Sequence, residues 1–206
     1  MKNLTRYSGV SLILGGLFFA IPNTVILPFV DFEAPFSELL TSTPFFYRMI
    51  FAALTVAFLL FGSIGVYLNH SHIERVRKFR QTTFILAFFG SAFMFANEWH
   101  QIFVLPEIAI LSPDMVDKLG SSVQTGSYAI GAMIALATFS FGWILFSISL
   151  LVSKKLKRIG PALVIVGFLI IPLISGIFTP VIGGIVGGVI LGIGFSLIGI
   201  ELLKSN

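Results

Sequence analysis

The chain has 206 residues, 56% of them hydrophobic and 11% charged, where a soluble domain carries about 25% charged residues, and its mean hydropathy is +1.01. That balance excludes a soluble globular domain and predicts a polytopic membrane protein. The net charge of +4 comes from short basic runs beside apolar segments, which report loop sidedness and not nucleic-acid binding, and the absence of cysteine excludes disulfides, thiolate metal sites and cysteine nucleophiles.

Crossing a bilayer as a helix takes about 20 apolar residues, and six segments approach or exceed that length: 5–29, 45–69, 81–104, 124–152, 160–178 and 181–203. The expected fold class is all-α, a single six-helix transmembrane bundle over residues 1–206. Lysine and arginine in short loops set orientation. Lys2, Arg6, Arg75, Arg77, Lys78, Arg80, Lys154, Lys155, Lys157, Arg158 and Lys204 fall on one side, against Arg48 and Lys118 on the other. Both termini are therefore expected in the cytoplasm of a cell-membrane protein, with the loops at 30–44 and 105–123 facing outward.

Lys2 and Arg6 precede the first apolar run, but its length, Pro22-Asn23 and lack of a small-residue cleavage site predict a retained span and not a signal peptide. Pro22 removes a backbone hydrogen bond and bends the helix unless a neighbour compensates. Asn23 is either that compensation or part of a site. In the first outer loop, Phe32, Phe36, Leu39 and Leu40 recur at helix-like spacing among acids, which predicts a short interfacial helix. Thr43-Pro44 then opens the second span. One turn in, Arg48 either snorkels to phosphates or turns inward toward a carboxylate.

The second span ends near His70, and His72 follows in a basic loop; two histidines there do not make a converging, deprotonated metal set. That loop favours anionic membrane lipids. The third span carries a small-residue break at Gly90-Ser91-Ala92 and then the densest polar cluster of any apolar segment, Asn97-Glu98-Trp99-His100-Gln101. A carboxylate inside a span costs about 2.5–3.5 kcal/mol at mid-bilayer on insertion scales and is a functional-site hypothesis with a partner to be found. Successive side chains lie about 100° apart on a helix, so Asn97, His100 and Gln101 share a face and Glu98 sits at its edge. Trp99 points elsewhere, as an interfacial anchor.

In the second outer loop, Ser112-Pro-Asp with Gly120 describes a short capped interfacial helix whose Met115, Val116 and Leu119 share a side, expected to rest on the membrane surface or over the bundle as a lid or a packing connector. Gln124 and Tyr128 open the fourth span, with Ser140, Trp143 and Ser147 deeper. The fifth carries Pro172. The sixth carries Gly183, Gly184, Gly187, Gly188, Gly192 and Gly194, a close-packing face within the chain or toward a second copy in a homo-oligomer, and not a phosphate loop. Gly9, Gly16 and Pro22 loosely parallel Gly160, Gly167 and Pro172, although the offset is not constant. An inverted repeat of the transporter kind is not visible.

Counted inward at about 1.5 Å per residue, Asn23, Arg48, Glu98, His100 and Gln124 reach a common depth in the outer third of the bilayer. Together with Asn97 and Gln101 they form the expected ligand site, with Glu98 facing the bundle and Arg48, then His100, as its partners. Three functions fit: a pocket that binds or moves a small molecule, lipid or proton; an accessory subunit whose polar cluster ties the helix ends together; or an intramembrane enzyme with Glu98 and His100 as acid and base. No cofactor is expected. A retinal-bearing mid-span lysine is absent, and His100 alone cannot ligate haem from two sides.

Overall fold

The computed structural model describes residues 2–70, 77–121, 126–153 and 156–204, and among them the chain is helical with no strand. Six helices are long and apolar enough to cross a membrane: α1 (Lys2–Val25), α3 (Thr43–His70), α4 (Arg77–Phe103), α7 (Ser127–Ser153), α8 (Ile159–Ile177) and α9 (Pro180–Lys204). The chain is a multi-pass membrane protein. Shorter pieces lie between them: a 3-10 turn (Leu27–Phe29), α2 (Phe36–Thr41), α5 (Leu105–Leu111) and α6 (Pro113–Ser121). The expected basic loop before the third span lies partly outside the described residues, as do His72, Arg75, Lys154 and Lys155.

Two boundaries differ from the hydropathy reading. α4 is already helical at Arg77, where the described residues resume, four residues before the apolar run, and Arg and Lys are good helix formers with apolar stems; Arg80 is fully buried, its guanidinium 6.0 Å from the Tyr67 ring. At the other end a turn at Val104 separates α4 from α5, which has Pro106 in its first turn. Proline lacks the N–H that would continue the ladder.

The spans neighbour one another in chain order, α1 on α3, α3 on α4, α4 on α7, α7 on α8 and α8 on α9, and α9 packs back on α1 to close a ring. Adjacent helices run antiparallel: Gly9 meets Gly199 and Gly16 meets Gly192 across α1 and α9, Gly62 meets Leu12 across α3 and α1, and Gly167 meets Leu191 across α8 and α9. Residues 2 and 204 thus share one end of the bundle. The α7–α8 seam is the loosest of the six.

α9 is the most closely held helix. Gly184, Gly188, Gly192 and Gly199 face α1 and its following turn, while Gly183, Gly187 and Gly194 face α8, so the glycine stripe is occupied by contacts inside the chain. A missing Cβ lets two backbones approach; a Cβ at Gly199 would sit 2.5 Å from the Gly9 carbonyl oxygen, and one at Gly194 2.9 Å from the Val164 nitrogen. Both α1 and α8 lay glycines against opposite flanks of α9.

Two apolar cores divide the bundle along its axis. The larger fills the half nearer residues 2 and 204, around Leu12, Leu59, Trp143, Phe146, Phe195 and Leu202. The smaller joins the loop helices to the far ends of α3 and α4, through Leu39, Leu40, Met49, Ala53, Ile102, Leu105 and Val116. α2 thus turns Leu39 and Leu40 into protein. Asp117 on α6 accepts a 2.7 Å hydrogen bond from the Ser37 N–H at the start of α2, tying the two loops together.

Candidate functional site: an intramembrane cavity between the two cores

Between these cores the ring encloses a cavity of about 440 Å³, with wall residues from all six spans. Its lining is mostly apolar, including Phe18, Phe19, Val56, Met94, Phe139 and Phe168, and its polar members are Asn23, Arg48, Thr55, Glu98 and Ser140. The helical repeat explains the selection. On α3, Arg48, Ala52, Thr55 and Val56 stand at i, i+4, i+7 and i+8, and on α4 Met94 and Glu98 stand at i and i+4, so each set shares one face. Pro22 of α1 and Pro172 of α8, each inside its helix, both border the cavity.

Glu98 is 3% exposed, and its Oε2 is buried without a hydrogen-bond partner. The Arg48 Nε and the Thr55 Oγ1 are likewise buried and unpartnered. Arg48 and Glu98 are near enough to feel each other's charge, yet among the described residues no ion pair within 4.0 Å joins them. The Arg48 guanidinium instead lies 5.9 Å from the Phe32 ring. A buried polar atom left unpaired costs about 1–3 kcal/mol, and more when charged, so three such atoms on residues bordering one cavity are an exception that needs a cause.

Asn23 borders the same cavity, but its side-chain amide donates to the Phe19 carbonyl at 2.7 Å within α1. It sits where α9 has no side chain, since a Cβ at Gly188 would come within 2.8 Å of the Asn23 Cβ. The structure therefore brings Asn23, Arg48 and Glu98 to one space. Asn97, His100 and Gln101 are half-buried and border no part of it. The His100 ring lies 5.8 Å from that of Tyr128, and Trp99 is exposed with its ring 4.4 Å from Phe103. Gln124 lies outside the described residues.

Thr55 escaped the sequence reading, as did Ser140 as a wall residue and Tyr128 as a group that feels the Glu98 charge. For Thr55 the signal was present: it follows Arg48 by two helical turns on one face. Among the described residues, no three His, Asp or Glu side chains converge as a metal set. A scan against protein-family models, a search of curated proteins and a search of solved structures each return no match.

Chemically, the cavity wall carries one carboxyl, one guanidinium, the Thr55 and Ser140 hydroxyls and the Asn23 amide among mostly apolar side chains. Such a mix, mostly apolar with a few placed polar groups and a volume between about 300 and 1,000 Å³, is the usual make-up of a small-molecule pocket.

Proposed function

We propose that the chain binds a small molecule or lipid inside the membrane, with Glu98, Arg48 and Thr55 receiving its polar group and the aromatic wall receiving its apolar part. The observation that carries this is that three residues bordering one cavity, Arg48, Thr55 and Glu98, each hold a buried polar atom without a hydrogen-bond partner. Had Glu98 served to tie helices together, its carboxylate oxygens would be bonded to a neighbouring helix, and no such bond is present among the described residues. Acid-base catalysis by Glu98 with His100 needs both groups within reach of one substrate, and His100 does not border the cavity.

The skew of basic residues toward the end holding residues 2 and 204 supports a cell-membrane protein with both termini cytoplasmic. The cavity then occupies the outward half of the bilayer. Thermal unfolding of detergent-purified wild type and Glu98→Gln, with and without a total-lipid extract, tests the binding role. Extract should raise the wild-type midpoint by several degrees and leave the variant nearly unmoved. Equal responses, or none in either protein, would remove the ligand role from Glu98. Flux into liposomes then separates holding a ligand from moving it.

A further inference from the structure

The cavity wall includes residues that also face the outside of the bundle. Leu136 and Phe141 on α7 and Leu169 on α8 border the cavity while being 53%, 61% and 58% exposed. A side chain that belongs to both surfaces marks a mouth. This one lies along the α7–α8 seam, the loosest in the ring, and Phe139 and Phe168 meet edge to face beneath it, 5.6 Å between centroids.

Depth decides what is outside the mouth. Leu136 follows the start of α7 by nine residues and Leu169 precedes the end of α8 by eight, which at 1.5 Å per residue is about 12–14 Å from the helix ends. In a hydrocarbon layer about 30 Å thick, the opening faces acyl chains. Outward of Glu98, by contrast, lies the second core, with Phe45, Ile102 and Leu105 all buried, and the Arg48 guanidinium lies by the Phe32 ring. Glu98 is covered toward the outer end, and the apolar flank is open.

Resting on the binding role just proposed, we infer that the ligand is a membrane-dissolved, single-chain amphiphile with an uncharged head carrying hydroxyl groups, reaching the cavity sideways between α7 and α8. The volume suits one chain and not a whole two-chain lipid. Glu98 and Arg48 carry opposite formal charges, so a head of no net charge leaves the set neutral, whereas a head of either charge leaves a net charge buried. A hydroxyl both donates and accepts, so such a head matches a carboxylate acceptor, a guanidinium donor and the Thr55 hydroxyl alike.

The test uses a 1-monoacylglycerol with a photoreactive diazirine in mid-chain, added to the protein in phosphatidylcholine nanodiscs, with adducts mapped by mass spectrometry. Adducts are expected on residues 136–144 and 168–172, competed by plain monoacylglycerol and not by glycerol. Affinity should fall about tenfold or more in Glu98→Gln, the scale of one lost hydrogen bond to a charged group. Thr55→Val supplies a second variant with a smaller loss should Glu98→Gln not fold. Adducts only on other faces, or tighter binding of oleate or of lysophosphatidylglycerol than of monoacylglycerol, overturn the inference while the binding role stands if total-lipid extract still stabilises the wild type. If neither probe nor extract engages the cavity, both fail.

Discussion

The Trp143 indole N–H donates to the Ser91 hydroxyl at 3.0 Å, both side chains being fully buried, and Ser91 in turn donates to the Ala87 carbonyl at 2.7 Å. This pair joins α7 to α4 immediately below the cavity. Ser91→Ala strands the indole N–H in an apolar core. Interhelical hydrogen bonds in membranes average about 0.6 kcal/mol, with a maximum near 1.7, so a loss of about 1 kcal/mol is expected in SDS-titration unfolding. A loss below experimental error would mean the indole finds another acceptor.

Two glycines of α7 predict opposite outcomes for the same substitution. A Cβ at Gly142 would lie 2.7 Å from the Ala87 Cα, a backbone atom that cannot swing aside, whereas one at Gly131 would meet nothing within 4 Å. Gly142→Ala should destabilise by about 1–3 kcal/mol through overpacking. Gly131→Ala should be neutral or stabilising, by up to about 1 kcal/mol through helix propensity. Thermal midpoints of the two variants in one detergent check the contrast.

Thr55→Val removes a buried hydroxyl that has no partner while keeping the side-chain shape. Without ligand the variant should be as stable as wild type or more so, by up to about 1–3 kcal/mol. The midpoint rise on adding lipid extract should shrink. A variant clearly less stable than wild type in ligand-free detergent would show that the hydroxyl is bonded in the folded protein.

Asp117→Ala removes the acceptor for the Ser37 N–H, the equivalent of losing an N-cap, worth about 0.5–2 kcal/mol. The effect should be local. Amide exchange across 36–41 is expected to quicken while that of the α4–α7 contact around Ser91 and Trp143 stays as in wild type; uniform quickening would argue against a separate cap.

The six spans were legible because hydropathy over about 20 residues is a property of each segment alone. That Asn23, Arg48 and Glu98 stand at one level of the bundle follows from rise per residue, and all three border the cavity. Direction was harder. Asn97, Glu98 and Gln101 crowd one turn of α4, and which of them turns inward depends on where α3 and α7 stand, a fact held by Gly90 and Gly142 at the α4–α7 crossing. His100 illustrates the limit: it shares the depth of Glu98 and yet packs toward Tyr128. Nor could segment-wise reading foresee the α7–α8 seam, because a gap is a property of two helices and of neither by itself.

The ring order has a consequence for biogenesis. Because each span neighbours the one made before it, α1, α3, α4, α7 and α8 can associate as they leave the ribosome, but α1 and α8 meet their common partner only when α9 arrives. Until that moment the ring lacks the wall between α1 and α8. The enclosed space is thus closed only by the arrival of α9, the one wall that joins α1 to α8.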